Sequence, residues 1–366
     1  MATTKTPQPK RIGLLTSGGD CGGLNAVIRG VVGRATMLGW EVVGIASGIH
    51  GLLDRPPAAT PVDPSMFTGN ILRQGGTILG TTNRGDPFAF PMPDGTVSDR
   101  SQEVIDAYHE LGLEALIGIG GDGSMAILRR LALQGDLPLI GIPKTIDNDV
   151  GVTEFSVGFA TAVDVATQAL DMLQPTAASH SRVMILEVMG RDAGHIAIAA
   201  GIAGGADIVL IPEIDYKLDA VAAKIDRIRQ GGRNFALCVV AEAVKGENGS
   251  PVTRIAAEGN TNYGGIGGDL ADRIAQATGA ETRVTVLGHV QRGAPPSPQD
   301  RIIGQAFGVA AVDAVDAGKS DRIVIWQNRN IMDISIADAI AAPGRVDLDG
   351  IMVRTARGLD ICLGDR

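Results

Sequence analysis

Cysteine is scarce: Cys21, Cys238 and Cys362 stand far apart in a chain of 366 residues. That spacing offers neither a disulfide framework nor the paired cysteines of a metal site, and it fits reduced thiols in a cytoplasmic protein. Aromatic side chains make up only 3% of the chain against 45% apolar residues in all. The core therefore has to be built from Ala, Val, Ile and Leu. Positive charge is also in short supply. A net charge of −9 argues against a general nucleic-acid binder, because binding along a phosphate backbone needs basic surface. It leaves room for a local phosphate site made of backbone N–H groups and a few arginines. The longest apolar run, 196–212, is interrupted by Asp207 and reads as a buried helix followed by a strand, not as a membrane span. The opening MATTKTPQPKR lacks the apolar segment of a signal peptide and reads as a short disordered tail.

What is plentiful is glycine. Fifty residues cluster after strand-like runs, as tight βα turns require. The length exceeds one ordinary core, so two domains are expected. Short, β-branched runs, apolar on both faces, predict strands near 11–17, 41–46, 115–120, 139–143, 182–188, 207–212, 235–241, 282–287 and 322–326. Amphipathic patterns predict helices near 23–38, 102–112, 124–133, 158–173, 193–203, 217–230, 264–278, 300–317 and 334–341. Such alternation means a doubly wound α/β architecture, in which ligands bind along the C-terminal strand ends. The segment 54–99, rich in Pro, Thr and Gly, is either a mobile loop over a site or an ordinary excursion.

Four stretches can carry chemistry. In LLTSGGDCGGLNAVIRG (14–30) a strand runs through Ser17-Gly18-Gly19-Asp20 into a helix, so that glycine backbone and a helix N-terminus can meet an anion. A plain βα turn would look the same. LIGIGGDGSMAILRRL (116–131) repeats this grammar around Gly120, Gly121, Asp122, Gly123 and Ser124. A carboxylate among phosphate-binding glycines repels phosphate unless a divalent cation lies between them, so Asp122 is read either as a Mg²⁺ contact or as a cap of a helix starting at Ser124. In GIPKTIDND (141–149), Lys144, Thr145, Asp147 and Asp149 crowd the end of a buried strand. An amine that steadies a moving phosphoryl group and a carboxylate that takes a hydroxyl proton are the parts phosphoryl transfer needs; the alternative is a capped helix start. Arg182, Arg191, Arg283, His289 and Arg292 lie at or near strand ends, either solvated or arranged to hold a substrate phosphate. Met189 beside them is read as core packing before contact.

Taken together, GGDGS, PKTIDND, EVMGR and VLGHVQRG, preceded by LTSGGDCGGLNAVIRG, resemble the phosphofructokinases over roughly residues 11–328. The resemblance implies two similar doubly wound three-layer lobes with mainly parallel sheets, each discontinuous in sequence: 10–155 with 292–342 for the phosphoryl donor, and 156–291 with 343–366 for the sugar phosphate. It implies donor contacts at Gly18, Asn83, Arg84, Gly121, Asp122, Gly123 and Ser124, with Mg²⁺ at Asp122. Fructose 6-phosphate would be met by Thr145, Ile146, Asp147, Met189, Gly190, Arg191, Glu242, His289 and Arg292, with Asp147 as base and Lys144, Thr145, Asp149 and Arg191 around it. Arg182 and Arg283 would reach the sugar phosphate of a neighbouring subunit, which implies a homodimer or homotetramer.

Two markers bear on the donor. Pyrophosphate-using members replace the last glycine of GGDGS by aspartate, and here Gly123 leaves room for ATP. They also carry the lysine found here as Lys144. A mixed-substrate branch of ATP-dependent members has this same pair, and steric exclusion outweighs an added amine, so ATP is expected. Asn83 stands where well-known bacterial members have an arginine that bridges the substrates, with Arg84 beside it. Their effector site is poorly matched: Arg29 and Arg55 remain, but Gly33 and Gln174 replace arginines. The competing functions are a reversible pyrophosphate-dependent enzyme and a nucleotide-binding regulator without catalysis.

Overall fold

The computed structural model describes residues 9–246, 249–255, 261–342 and 344–366; most of the expected N-terminal tail lies outside them. The strands begin with Arg11–Thr16 (β1), Glu41–Ile45 (β2), Ala59–Pro61 (β3), Phe90–Pro91 (β4), Val97–Ser98 (β5), Ala115–Gly120 (β6) and Leu139–Pro143 (β7). They continue with Val183–Val188 (β8), Ile208–Leu210 (β9), Ala236–Ala241 (β10), Thr253–Ile255 (β11), Thr261–Tyr263 (β12), Thr282–Val286 (β13), Arg322–Gln327 (β14) and Asn330–Ser335 (β15). The chain divides into two units. The first holds the chain up to Thr145 with 150–158 and 295–343; the second holds 146–149, 159–294 and 344–366.

The first unit is built on a seven-stranded sheet of order β15-β14-β7-β6-β1-β2-β3. Its inner pairs are parallel and both edges, β14–β15 and β2–β3, are antiparallel. Strands β6 and β7 are buried at every position, which is why their runs are apolar throughout instead of alternating. Register sets the site: Thr16 pairs with Ile119 and Ile119 with Ile142, so β1, β6 and β7 end at the same level. On one face the helices Leu24–Met37 and Pro298–Asp316 touch backbone to backbone. A Cβ on Gly30 would fall 2.4 Å from the Gln305 carbonyl oxygen, and one on Gly308 2.5 Å from that of Val27.

In the second unit four parallel strands run in the order β13-β8-β10-β9. Val286 and Val240 both pair with Glu187, so β13, β8 and β10 also end level. The long apolar run resolves into the helix His195–Ala203 and then β9. No helix of the described residues is long and apolar enough to cross a membrane.

Two expectations need correction. Residues 334 and 335 belong to β15, not to a helix: Asn330–Ser335 is a half-exposed edge strand, and the helix starts at Ile336, where the Ser335 side chain caps the Asp338 N–H. The helix expected to end near 173 runs from Phe159 to His180 through Pro175. The Ala-rich turn beyond the proline packs inward through Ala177, which is fully buried, and that burial outweighs the hydrogen bond proline cannot make.

Candidate active site

In the first unit, three neighbouring strand ends carry the two glycine loops and GIPKTIDND as far as Thr145; Ile146–Asp149 belong to the second unit. After β1, the Ser17 N–H donates to Ile119 O at 2.9 Å and the Gly18 N–H to Thr82 O at 2.8 Å. Thr81 Oγ1 returns a bond to Gly18 O at 2.7 Å, so the segment carrying Asn83 and Arg84 is tied to this loop. Asn83 and Arg84 themselves are exposed. The excursion 54–99 is anchored further back by Asn25, buried at 2% exposure, whose Oδ1 accepts the Ile78 N–H at 2.9 Å. This anchoring fastens the 71–82 stretch beside the first glycine loop.

Gly18 takes a left-handed conformation, φ 82°. A Cβ there would lie 3.1 Å from Ser124 Oγ and 3.3 Å from Lys144 Nζ, so both glycine loops and the lysine meet at Gly18. Lys144 is 4% exposed, its backbone N–H donates to Gly120 O at 3.0 Å, and its ammonium donates to the Gly19 carbonyl. A buried cation needs such partners; this one is held at the tip of the β1 loop.

After β6, the helix Asp122–Gly135 starts on Gly121, which supplies no side-chain cap. Asp122 is therefore the first helical residue and not a cap. Its Oδ1 accepts the Gly123 N–H at 2.7 Å, an acidic group in the first turn where the helix dipole favours it. Gly123 is exposed, and no heavy atom lies within 4 Å of where its Cβ would be. After β7 the chain does not form a helix: Ser156 Oγ donates to Thr145 O at 2.7 Å and the Thr145 N–H donates to Val157 O at 3.2 Å. Ile146 is fully buried and Asp147 is 6% exposed.

The second unit gathers a different set at the ends of β8, β10 and β13. Gly190 has φ 156°, and a Cβ there would meet the Ala193 carbonyl oxygen at 2.5 Å. Arg191 is left-handed, φ 51°, a conformation that costs a non-glycine residue and persists where neighbours dictate it. Glu242 is one of those neighbours: its Oε1 accepts the Arg191 N–H at 3.0 Å and the Gly190 N–H at 3.3 Å. Burial raises the Glu242 carboxyl above the usual carboxylate range, opposed by these two bonds and by the nearby Arg292. The Arg191 guanidinium is 4.0 Å from Asp149. The Met189 N–H donates to Gln291 Oε1 at 2.9 Å, and Gln291 has no exposed surface. Gln291 was missed, because a lone amide between Val290 and Arg292 gives no local signal that the fold will bury it. His289 is exposed, at the start of the short helix Val290–Gly293.

Arg182 and Arg283 are not brought to this set. They flank the opposite, N-terminal ends of β8 and β13, a strand length of roughly 20 Å away, where both bind Glu281, at 2.8 and 2.5 Å.

Glycine loops at level parallel strand ends, with a helix N-terminus behind one of them, define an α/β protein of the phosphate-handling class. The phosphofructokinase family model matches residues 11–315, and the chain belongs to the phosphofructokinase family. It is 60% identical over 357 residues to a protein of Synechocystis sp. named ATP-dependent 6-phosphofructokinase 1, covering 97% of this chain and 99% of the relative. Among solved structures, phosphofructokinase from Saccharomyces cerevisiae matches 96% of this chain with a TM-score of 0.76 and 28% identity. This chain spans 47% of that yeast chain's length. A pyrophosphate-dependent phosphofructokinase from Marinobacter aquaeolei, 23% identical with a TM-score of 0.76 over 96% of this chain and 92% of its own, shares the fold.

Proposed function

We propose that the protein is an ATP-dependent 6-phosphofructokinase, moving the γ-phosphoryl group of ATP to the 1-hydroxyl of fructose 6-phosphate. The observation that carries this reading is the meeting of both glycine loops at Gly18 with the buried Lys144 ammonium, while Gly123 opens on free space. The first unit is the donor lobe, with Gly18, Asn83, Arg84, Gly121, Gly123 and Ser124 around the nucleotide. The second is the sugar lobe.

Asp122 is the residue that would hold Mg²⁺. Among the described residues no cluster of three or more His, Cys, Asp or Glu could bind a metal by itself, and Mg²⁺ shared with phosphate oxygens and water needs only one or two carboxylates, so one exposed Asp fits. When bound, the ion neutralises charge on the donor phosphates. Asp147 takes the proton of the 1-hydroxyl as the nucleophile forms, with Thr145 and Asp149 flanking it. Lys144, three residues earlier in the chain, steadies the moving phosphoryl group. Arg191, Glu242, His289, Arg292 and the turn Met189–Gly190 hold the sugar phosphate. Arg182 and Arg283, at the far ends of their strands, serve a neighbouring copy, so the working form is a homo-oligomer.

Lys144 supports one second reading, a reversible pyrophosphate-dependent enzyme, because the amine would suit a smaller, denser donor. Initial rates with fructose 6-phosphate and Mg²⁺, with ATP against pyrophosphate, separate the two. Turnover with ATP alone is expected; turnover with pyrophosphate alone would overturn the donor assignment, and turnover with neither the enzyme itself.

A further inference from the structure

Two polar groups in the second unit take no part in the proposed reaction. One is Glu187, the glutamate of EVMGR, buried at 2% exposure. Its Oε1 accepts the Gly265 N–H at 3.0 Å and its Oε2 the Gly267 N–H at 2.8 Å. Gly265 is the left-handed N-cap of the helix Ile266–Thr278 and supplies no side-chain cap of its own. The carboxylate thus satisfies N–H groups the helix start leaves open, and it fastens the turn 264–267 to the middle strand of the site.

The other is Tyr263, the residue just before that turn. Its strand β12 pairs with β11, Tyr263 opposite Thr253, and its hydroxyl donates to Asp192 Oδ1 at 2.6 Å. Asp192 follows Arg191, the left-handed residue whose N–H is held by Glu242. The turn that presents the Arg191 guanidinium is thus held by Glu242 on its backbone and by Tyr263 on the side chain next along. The hydroxyl also lies within electrostatic reach of Arg191 and Glu242, and its bond to Asp192 raises its pKa, so it stays a protonated donor at neutral pH.

We propose that Tyr263 is a positioning residue of the sugar site in the second unit, holding the Gly190–Asp192 turn through Asp192 so that Arg191 meets the sugar phosphate. The proposal rests on the kinase reading given above. A left-handed arginine held less firmly would sample other backbone conformations and bind its ligand at a cost.

The test is steady-state kinetics of the full-length enzyme with ATP, Mg²⁺ and fructose 6-phosphate. Tyr263→Phe keeps the ring and removes the bond. Its KM for fructose 6-phosphate should rise roughly ten-fold, the loss expected for a hydrogen bond to a charged partner, with kcat within about two-fold and the KM for ATP unchanged. Asp192→Ala should give a similar rise, and the double variant no more than either single, because both remove one bond. Asp192→Asn, which keeps an acceptor oxygen, should stay near wild type. An unchanged KM in Tyr263→Phe, or single effects that multiply in the double variant, overturns the proposal. So does a fall in kcat and rise in both KM values together with a lowered Tm, which would mark a merely structural bond. Wild-type enzyme that does not turn over fructose 6-phosphate defeats the kinase reading and this inference with it; turnover with an indifferent Tyr263→Phe defeats this inference only.

Discussion

The two units use opposite materials at their strand ends. The first unit presents backbone: Gly18, Gly121 and Gly123 at strand ends, one helix N-terminus and a single buried ammonium. The second presents side chains, with Glu242, Arg191 and Arg292 at a strained turn. The ligands proposed for them explain the contrast. A polyphosphate spreads its charge over many equivalent oxygens, so repeated N–H groups and space suffice. A sugar phosphate carries directional hydroxyls that need donors and acceptors of matching geometry. A change of shape should therefore hurt the first half most, and a change of charge the second.

The largest effect should come where the two halves meet in sequence. Asp147 is assigned by its contacts to the second unit, two residues after Thr145 closes the first stretch of the other. Asp147→Asn keeps the shape of this buried residue and removes its basicity. The expected loss is ~10²–10⁴-fold in kcat, the range of a positioned general base, with little change in the KM for fructose 6-phosphate. Near-normal turnover would remove Asp147 from the mechanism. Next comes Gly123→Asp. Nothing lies within 4 Å of the new Cβ, so the variant should fold with an unchanged Tm, while a carboxylate set against a nucleotide phosphate should cut ATP use on the order of 100-fold or more. A variant that still uses ATP normally would show that shape does not govern the donor half.

The nine strands expected were legible because their runs are short and rich in apolar, β-branched residues, whereas β3, β4, β5, β11 and β12, of two or three residues each, left no such run. The turns that break their pattern also showed where loops would be. Register was not legible. Nothing local says that Thr16, Ile119 and Ile142 lie level, because that depends on which crossovers pack, and only this alignment puts Lys144 against Gly18. Edge strand β15 was missed since a half-exposed strand running into a helix carries a mixed period. Residues that act on the site from elsewhere in the sequence were the least visible. Asn25 pins the 71–78 stretch, Gln291 holds Met189, and Glu187 holds a helix start 78 residues away; each looks like ordinary polar sequence until the fold buries it. Arg182 and Arg283 read as strand-end arginines, but they sit at the wrong ends of their strands for this chain's own site.

Glu242 tests the charge side of the comparison with a smaller effect. Burial raises its carboxyl pKa, so the fold favours the neutral form, and the ionised carboxylate costs stability as pH rises through the raised value. Glu242→Gln keeps an oxygen for the Gly190 and Arg191 N–H groups and drops the charge. Tm at pH 7 should hold or rise while the KM for fructose 6-phosphate increases roughly ten-fold. A lowered Tm with unchanged KM would make Glu242 a brace for the turn and not a sugar contact.

The smallest effect concerns acid stability, and it should also separate the halves. His195 opens a helix of the second unit with Nε2 3.3 Å from Gly344 O and its ring against Phe159. Burial lowers its pKa below the ordinary histidine value, while Glu213 and Asp149 pull the other way. The unfolded chain takes up a proton near pH 6.5, and the folded one only further down. Between those values the unfolded state binds more protons, so stability present at neutral pH is lost as pH falls. Tm followed from pH 8 to 5.5 should drop by a few degrees more in wild type than in His195→Gln, which cannot titrate. Parallel curves would place the acid-sensitive group elsewhere, and a steeper curve for the variant would mean that the attraction of Glu213 and Asp149 outweighs burial at this ring.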